Sequence, residues 1–591
     1  MEEILIPNPS RHDVASFNIL VDNEALNPAY QVISISITKE VNRIPSAKIV
    51  LRDGEASDKT FEISNSNDLI PGKKIIIKIG LDGNNAQVFK GIITRHAVRV
   101  KENGNGELQI ECRDVAIKMT VGRKNHYYAD IKDSRVFDEL IGRYSGLSSD
   151  SKETSLTHKE LVQHHMSDWD FMLLRAEANG MLVNVNDGEI KISIPVTKAD
   201  PVLQVTYGSS ILEFEAEMDA RNQWKSVKAT SWNYTSQELF QADSSEASGF
   251  IQHGNISGSK LAETINLPDY EMRHSGYALE QELQDWVNGI MLRSRLAKIR
   301  GRAKFTGFSS IKPGDMVKLS GVGERFEGNA FVTAVKQEMG DGMWDTHIQF
   351  GLDPERYACV YHDIPDALAS GLTGGIHGLQ IGIVVQLQND PDGEDRIRVK
   401  IPVIDNNDQG IWTRVASLDA GNNRGAFFRP EIGDEVIVGF INDDPRDAIV
   451  LGMLNSSAKP APISAQDTNH EKGFTTRSKM HLSFNDDTKT ITIDTPAGNS
   501  IKIDEQGMSI EIKDQNSNKI TMGTSGIALE SPMNIDIKAG VNLTLSAVAS
   551  LSIGAASLGV KADGNLSLEG AAAKLSGSGI TEISGSLVKI N

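Results

Sequence analysis

The chain has 591 residues and a formal net charge of −19, and 39% of its residues are hydrophobic while only 6% are aromatic. This length allows about four domains, and the acidic balance excludes nucleic acid as the main partner because phosphate binding needs a basic face. The two cysteines, Cys112 and Cys359, lie far apart, which excludes a disulfide framework and indicates a reducing compartment. No apolar run predicts a membrane-spanning helix, and the N-terminus lacks a signal peptide, so we expect synthesis in the cytoplasm.

Residues 1–125 are predicted to be rich in β-strands, because short alternating apolar runs are separated by turns such as Pro71-Gly72. Residues 126–200 change to a helical period and predict an α+β insertion. A first helix carries one apolar stripe, and a second is expected to begin at the N-cap Ser167, with Asp170 placed as in a capping box. The stripe consists of Val136, Phe137, Leu140, Ile141 and Tyr144.

Residues 201–369 return to strands around one long helix, ALEQELQDWVNGIMLRSRLAKIRG, whose charges suit the helix dipole. Pro313-Gly314 precedes an apolar strand as Pro71-Gly72 does, which indicates two related β-rich segments. Residues 370–378 form a Gly-rich linker. Residues 379–456 contain five apolar runs and predict a small barrel of the OB type.

Residues 457–483 are a predicted linker, and residues 484–591 contain short triplets such as ITI, IKI, IDI, LTL and LSL. No Phe, Tyr, Trp, His or Cys follows Phe484. Each triplet places two aliphatic side chains on one face of a strand, so the face needs a cover. Several chains intertwined in a narrow shaft would supply it. A single-chain solenoid and a flexible tail remain open alternatives.

Three parts of the sequence resemble VgrG-type spike proteins of contractile injection systems, such as type VI secretion systems and phage-tail-like particles. IGIVVQLQNDPDGEDRIRVKIPV and the segments after it resemble the OB domain, through Trp412–Val415, Pro430–Val436 and Gly452. QHHMSDWDFMLLRAEANGML resembles the hub, which is similar to that of a phage baseplate. IKPGDMVKLSG with FEGNAFVTAV resembles the second hub barrel.

This resemblance implies a mainly β homotrimer with two hub barrels per chain, at residues 1–125 and 201–369, an OB-fold neck and a triple-stranded β-helix needle. The hub would cap a hexameric tube protein and contact baseplate proteins, and a PAAR-like tip protein would sit on the last residues of the needle. The spike would pierce the target membrane mechanically and carry effectors, so it would end outside the cell or in a target cell. The implied tip-docking residues are Ser586, Leu587, Val588, Lys589, Ile590 and Asn591, and the neck-packing residues are Trp412, Pro430, Gly433, Asp434 and Gly452.

Other candidate sites have plain structural interpretations. His164, His165, Asp168 and Asp170 offer metal-ligand atoms, but a helix N-terminus and the protein surface explain them. The acidic loop NDPDGED lacks the spacing of a calcium loop. Trp412, Phe427 and Phe428 could stack on bases, but core and trimer packing explain them.

We therefore predict no cofactor, no metal and no enzymatic activity. One alternative is a tail enzyme that cleaves cell-wall polysaccharide, which needs two carboxylates in a cleft. Another is a trimeric adhesin shaft, which needs an export signal that the sequence does not show.

Overall fold

The chain folds mainly as β-structure, in agreement with the alternating apolar runs of its sequence. The structure is a computed structural model that describes residues 14–590 apart from residues 103–105, 245, 247–249 and 252. It separates into two units, Met1–Gly452 and Met453–Asn591. Within the described residues, no helix is long and apolar enough to span a membrane.

The first sheet-forming segment alternates buried and exposed residues along most of its strands, as expected for a sheet with one face on a core. Ile35, Ile49, Ile77 and Ile110 lie at the centre of that core. The elements are β1 (Ala15–Val21), β2 (Glu24–Ala25), β3 (Val32–Glu40), β4 (Ser46–Arg52), α1 (Glu62–Asn65), β5 (Lys74–Leu81), β6 (Asn84–Val100) and β7 (Gly106–Arg113).

An α+β segment follows, and it contains both helices expected from the sequence. The stripe of α2 is buried at Val136, Phe137, Leu140 and Ile141. At the start of α3, the Ser167 side chain accepts a hydrogen bond from the Asp170 backbone N–H, which confirms the predicted N-cap. The elements are β8 (Lys124–Lys132), α2 (Asp133–Gly142), β9 (Ser148–Ser151), β10 (Thr157–Met166), α3 (Asp168–Ala178), β11 (Leu182–Asn186) and β12 (Glu189–Ser193).

The second sheet-forming segment carries a small three-stranded sheet and the long helix between its own strands. The helix α5 is confirmed, with Arg293 and Arg295 in its last turn. The elements are β13 (Leu203–Thr206), β14 (Ile211–Met218), β15 (Val227–Asn233), β16 (Glu238–Ser244), α4 (Gly258–Ile265), β17 (Tyr270–His274), α5 (Glu280–Leu296), β18 (Ile299–Thr306), β19 (Met316–Ser320), β20 (Gly328–Gly340), β21 (Met343–Phe350) and α6 (Tyr357–Val360).

The two sheet-forming segments repeat one strand arrangement. The pairings β3–β4, β4–β7, β7–β6 and β6–β5 recur as β14–β18, β18–β21, β21–β20 and β20–β19. The repeated Pro-Gly phrase has the same role in both, because Gly72 donates its N–H to Ile93 O and Gly314 donates its N–H to Val332 O. Both glycines have positive φ, a conformation that favours glycine. The relation between the two segments is thus a duplication of topology.

β-Bulges fix the register of this duplication. The β6–β7 ladder shifts between Ile93 and Arg95, and the β20–β21 ladder shifts between Val332 and Ala334. The β3–β4 ladder shifts between Val32 and Ser34, and the β14–β18 ladder shifts in the same way between Ile211 and Glu213. Equivalent residues of the two segments can therefore be matched one by one.

The two segments join through backbone pairing inside the chain. Residues 34–40 of β3 pair antiparallel with residues 334–340 of β20, and the result is one sheet of 13 strands. Ile35 and Ile37 of β3 are 1% exposed at this junction, so it is a buried part of the fold.

A five-stranded closed barrel follows and confirms the small OB-type barrel expected from the sequence. Its core contains Val384, Ile397, Val399, Val436 and Val450. The barrel strands are β22 (Gln380–Gln386), β23 (Ile397–Lys400), β24 (Ile411–Val415), β27 (Glu435–Phe440) and β28 (Ala448–Met453), and a small hairpin adds β25 (Ala420–Gly421) and β26 (Arg424–Gly425).

The smaller unit contains a seven-stranded antiparallel meander in which each strand pairs with the next. The meander begins at Glu471, within the segment 457–483 that the sequence predicted as a linker, and thus before residue 484, where the triplets were predicted to begin. The strands are β29 (Glu471–Thr475), β30 (His481–Asn485), β31 (Thr490–Asp494), β32 (Ser500–Asp504), β33 (Ser509–Lys513), β34 (Lys519–Gly523) and β35 (Gly526–Glu530).

The triplets after Glu530 differ from the sequence expectation. Residues 532–590 are exposed throughout, and the structure assigns them no strand in the single chain. A strand needs hydrogen-bond partners along its edge, and this stretch of the single chain offers none.

A buried ionic cluster ties the α+β segment to α5. Asp133 is 1% exposed, and its carboxylate accepts hydrogen bonds from Arg175 Nε at 2.7 Å and Asn179 Nδ2 at 2.9 Å. His158 Nε2 lies 2.9 Å from the same carboxylate, and Arg175 also donates to Glu282 on α5. Burial raises the pKa of Asp133, but the hydrogen bonds from His158 and Arg175 outweigh it and hold the pKa well below its usual range.

We predict that Asp133→Asn lowers the free energy of unfolding by about 3–5 kcal/mol at neutral pH, because Arg175 then loses its buried counter-charge. The folded-state pKa of Asp133 is depressed, so its contribution is present above the unfolded value of about 3.9 and is lost as the pH falls through the folded value. The difference between wild type and variant should therefore shrink in acid. Urea unfolding followed by circular dichroism at neutral and acidic pH measures it.

The matched control is Asp58→Asn, since Asp58 is an exposed residue. Equal losses for the two variants at neutral pH would contradict a structural role for the Asp133 cluster.

Candidate assembly surfaces

The meander of the smaller unit has one continuous apolar face. Register places Ile491 opposite Ile503, Ile503 opposite Ile510, and so on along two columns of large side chains. We call this set the apolar tail face; it consists of Phe474, Leu482, Phe484, Ile491, Ile493, Ile501, Ile503, Ile510, Ile512, Ile520, Met522, Ile527 and Leu529.

The opposite face of the same sheet is polar. Lys519 pairs with Glu511 at 2.7 Å, and Lys502 pairs with Asp504 at 2.8 Å. Solvent satisfies such a face, whereas the apolar tail face stays uncovered in the single chain, with Ile493 48% and Leu529 52% exposed. Burying each such side chain fully stabilises by about 1.5–3 kcal/mol. The apolar tail face therefore has the properties of an assembly surface.

The proposed tip residues lie in the exposed stretch after the meander. Ser586, Leu587, Val588, Lys589 and Ile590 are all exposed. Asn591 lies outside the described residues. The exposed fraction of Leu587 is 75% and that of Ile590 is 84%, so apolar surface is available there in the single chain.

Most of the neck residues expected from the sequence have local roles in the barrel. Gly433 has φ 85° and donates its N–H to Val384 O at 2.7 Å, and the Val384 N–H donates to Asp434 O at 3.0 Å. Pro430 is buried beside this turn. The Trp412 ring is half-buried, with the Arg398 guanidinium 5.8 Å from its centre.

Phe427 and Phe428 do not lie in the barrel core. Their exposed fractions are 76% and 58%, and the Arg429 guanidinium lies 5.2 Å from the Phe427 ring centre. Core packing is thus wrong for these two rings, because the loop that carries them lies outside the closed barrel. Packing against another copy remains as an interpretation.

We predict that Gly433→Ala loosens the barrel while Gly452→Ala does not. An added Cβ at Gly433 meets a positive φ, which costs about 1 kcal/mol. Gly452 has no such constraint, and its nearest neighbour would be Ile437 Cγ2 at 3.9 Å. Hydrogen exchange by mass spectrometry should show about fivefold faster exchange in β22 and β27 for Gly433→Ala only. Equal exchange in both variants would contradict this role.

The His and Asp residues considered as metal ligands are not brought together. His165 Nε2 lies 2.8 Å from Asp366 Oδ2, and Asp170 accepts a hydrogen bond from the Tyr357 hydroxyl at 2.8 Å. Asp168 is not a surface residue, because it is fully buried and accepts from Lys124 Nζ at 2.6 Å. Across the part of the chain that the structure describes, no group of three His, Cys, Asp or Glu residues could hold a metal ion.

The acidic loop NDPDGED connects β22 and β23 and is organised by the ion pairs that Arg396 forms with Asp390 and Asp392. Arg396 donates to both oxygens of Asp390, at 2.6 Å and 3.0 Å, and the Glu394 backbone N–H also donates to Asp390. The hydrogen bonds from Arg396 hold the pKa of Asp390 well below its usual range. The hairpin-turn interpretation is confirmed, since the carboxylate binds its own loop.

A cavity of about 590 Å³ lies beside β3, β14 and β18. Three of its carboxylates each pair with an arginine, at 3.0 Å, 2.6 Å and 2.8 Å. The pairs are Glu40 with Arg43, Glu215 with Arg302, and Glu217 with Arg300. The cavity wall thus contains three ion pairs, and Asp353 and Glu355 line it as well.

Two known protein families match this chain. The family described as Alg8 N-terminal domain matches residues 11–341, which covers more than half of the chain, including the first sheet-forming segment and the second as far as β20. The chain belongs to the Alg8 N-terminal domain family. In this family member, residues 380–454 also match the family described as type VI secretion system/phage-baseplate injector OB domain, and these residues form the closed barrel.

Curated relatives of this Alg8-family chain are VgrG spike proteins. The type VI secretion system spike protein VgrG1b of Pseudomonas aeruginosa is 26% identical over 240 residues, which is 38% of this chain and 31% of the relative. VgrG3 of Vibrio cholerae is 31% identical over 125 residues, 19% of this chain and 12% of the relative. The matched regions therefore span about a third or less of these relatives.

A solved structure of a Francisella PdpA–VgrG complex is also similar, with 10% identity and a TM-score of 0.38 over 88% of this chain and 80% of that one. The family matches and the curated relatives confirm the resemblance to VgrG-type spikes. They support a structural spike of a contractile injection system.

Proposed function

We propose that this chain is the trimeric spike at the tip of a contractile injection system, where it caps the inner tube and pierces the target envelope to deliver effectors. The uncovered apolar tail face is the observation that carries the proposal. It belongs to a hydrogen-bonded sheet that follows an OB-type barrel in the chain, and after Phe484 it carries no aromatic ring. Three such faces turned inward would form a thin shaft.

A trimer suits the residues of the tail. After Phe484 the apolar side chains are mainly Ile, Leu, Val, Met and Ala, and a narrow axis shared by three chains accepts these side chains because none of them carries a ring. In this proposal residues 484–591 become a triple-stranded β-helix needle. The exposed triplets after Glu530 then find in neighbouring copies the backbone partners that the single chain lacks.

The other parts of the chain take the places of hub and neck. We assign residues 1–125 and 201–369 to two hub barrels, residues 126–200 to an insertion between them, and residues 379–456 to the neck, with residues 370–378 and 457–483 as linkers. The duplicated topology supports this assignment, because three chains then present six similar barrels to a hexameric tube protein. Baseplate proteins and effectors are the further partners of such a hub. The particle would deliver the spike outside the cell or into a target cell.

The role is structural in this proposal, and the chain acts by transmitting force. Three of the five carboxylates that line this cavity support it, since each already has an arginine partner. A cell-wall hydrolase instead needs one free general acid and one free nucleophile or base.

The native mass of the purified chain tests the trimer. Light scattering on a sizing column should give a mass near three times 64.4 kDa. A clean monomer across the accessible concentration range would overturn the intertwined needle.

A pair of substitutions at neighbouring positions tests which face of the meander assembles. Ile491→Asp places a charge on the apolar tail face, whereas Thr492→Asp places the same charge on the polar face. Burying an unpaired carboxylate in each of three copies costs several kcal/mol, so we expect the trimer of Ile491→Asp to dissociate at least tenfold more readily. Thr492→Asp should keep the mass of the wild type, and equal behaviour of both variants would contradict the proposed needle.

The tip surface has its own test. A chain that lacks residues 586–591 should keep the trimer mass but lose binding of a PAAR-like tip protein in a pull-down. The intact chain is the control. Undiminished capture of the tip protein by the shortened chain would place docking elsewhere.

A further inference from the structure

One serine of the first sheet-forming segment is hydrogen-bonded to a histidine ring. Ser64 lies in the short helix α1 and His96 lies in the second half of β6, with Ser64 Oγ 2.7 Å from His96 Nε2. Both residues are half-buried, so neither is enclosed in the core. A hydroxyl at this distance from an imidazole nitrogen makes the contact through which a histidine activates a serine nucleophile.

The second ring nitrogen of His96 fixes the direction of this hydrogen bond. His96 Nδ1 lies 3.0 Å from the carbonyl oxygen of Leu69, which can only accept. Nδ1 therefore carries the proton of the neutral ring, and Nε2 has the free electron pair. The Ser64 hydroxyl then donates to Nε2. The Leu69 carbonyl thus has the role that a carboxylate has in a Ser-His-Asp triad, because it holds the ring in the tautomer that can accept the hydroxyl proton.

A buried carboxylate holds the backbone of the serine in place. Asp53 is 6% exposed, and its two oxygens accept hydrogen bonds from the N–H groups of Ile63, at 3.2 Å, and Ser64, at 2.8 Å. The first four N–H groups of a helix have no partner inside the helix, so a helix as short as α1 depends on such an acceptor. Asp53 therefore fixes the position from which Ser64 reaches the ring.

The neighbouring Ser66 shows that this arrangement is specific to Ser64. Ser66 Oγ donates to the Ile63 carbonyl oxygen at 2.7 Å and accepts a hydrogen bond from the Asp68 N–H at 3.2 Å. An amide carbonyl is too weak a base to take up the hydroxyl proton. Both serines are half-buried and lie two residues apart, but only Ser64 has a base beside its hydroxyl.

We propose that Ser64 is an acyl-acceptor site at which His96 acts as general base and an activated ester of a short aliphatic acid supplies the acyl group. Ser64 Oγ bonds to the ester carbonyl carbon while His96 Nε2 takes the hydroxyl proton. The bond from that carbon to the leaving oxygen then breaks, and the imidazolium gives its proton to the leaving alcohol. The products are acylated Ser64, neutral His96 and the free alcohol, so the reaction needs no oxidant or reductant.

Apolar side chains beside the pair favour an aliphatic acyl group. Side chains alternate along β6, so Val98 and Val100 lie on the same face of the strand as His96, about 7 and 13 Å along it. They are 43% and 63% exposed, and Ile70, which follows Leu69, is 38% exposed. An aliphatic chain laid along these side chains would bury apolar surface against them, whereas a charged acyl group would not.

The same geometry limits the reaction to a single acyl transfer. Fast formation and hydrolysis of an acyl-serine need N–H donors aimed at the oxyanion. Here the Ser64 N–H is bound to Asp53, and the Asn65 N–H is bound to the Phe61 carbonyl oxygen at 2.9 Å. We therefore expect stoichiometric modification and no turnover. The site adds a modifiable residue to a chain whose proposed function is structural, and it does not depend on that function.

Labelling of the full chain with para-nitrophenyl butyrate tests the site. Peptide mass spectrometry locates the butyryl groups and follows their formation with time, and circular dichroism shows that the chain stays folded. A positioned general base contributes about 10²–10⁴-fold, so we expect Ser64 to gain one butyryl group about a hundredfold faster than Ser66. Butyryl groups on lysine side chains are mapped and counted separately.

One variant and a matched control separate activation from a purely structural hydrogen bond. His96→Gln keeps a side chain that can hydrogen-bond to Ser64 but cannot take up its proton, so labelling of Ser64 should slow about a hundredfold. Ser66→Ala changes the hydroxyl two residues away and should leave the labelling rate of Ser64 unchanged.

Equal labelling of Ser64 and Ser66 in the wild-type chain, or an unchanged rate in a folded His96→Gln variant, would overturn the acyl-acceptor site. The wild-type comparison needs no substitution, so it decides the matter even where a variant fails to fold. The native mass tests the trimeric spike separately, and neither result of the labelling bears on it.

Discussion

Alternation of side chains along short strands creates surfaces that one copy of this chain cannot cover. Because the side-chain period of a strand is two, every second residue of the meander points to the same side, and register keeps these residues aligned from Phe474 to Leu529. No helix or second sheet is described over this face. A related problem arises at the open edges of β6 and β14. There the groups without a partner strand are backbone N–H and C=O groups and not apolar side chains.

In the larger unit, nearly all of the apolar strand faces are covered by other elements of the same chain. Its hydrophobic core is divided among the sheet-forming segments, the α+β segment and the barrel, and residues such as Ile49, Ile77, Val136 and Val399 are fully buried. Buried charged side chains there have hydrogen-bond partners. Lys298, for example, donates to Ile256 O at 2.7 Å, and burial lowers its pKa to about 8. Open strand edges remain, such as the second half of β6, where another strand could pair without changing the core.

Local patterns predicted much of the fold. The N-cap of α3 follows from Ser167 and Asp170, the barrel from five apolar runs, and the duplication from a repeated Pro-Gly phrase. Each of these signals lies within a few neighbouring residues. The Asp133 cluster was missed, because its partners come from β10, α3 and α5, and Asp133 itself reads as an ordinary first-turn acid.

The candidate surfaces were only partly predictable for the same reason. The alternating triplets indicated an apolar face, but the strand-by-strand match of the two sheet-forming segments needs the strand order and four bulges, which no local pattern contains. Asp168 shows the converse case. Its position suggested a surface cap, and it is instead buried, because Lys124 and Tyr144 from neighbouring elements reach it.

The positions of the uncovered apolar side chains and unpaired backbone groups also indicate the order in which the parts of the chain fold and assemble. The sheets of the larger unit bury their apolar residues within one chain, so that unit has the contacts to fold first. The meander has its backbone bonds in place and lacks only a cover for one face, so it can fold as a sheet and then associate. Residues 532–590 have neither cover nor backbone partners, and ordering them costs about 1–2 kcal/mol per residue. Only contacts with other copies offset that cost, so this part of the tail is expected to order last, from the meander toward Ile590.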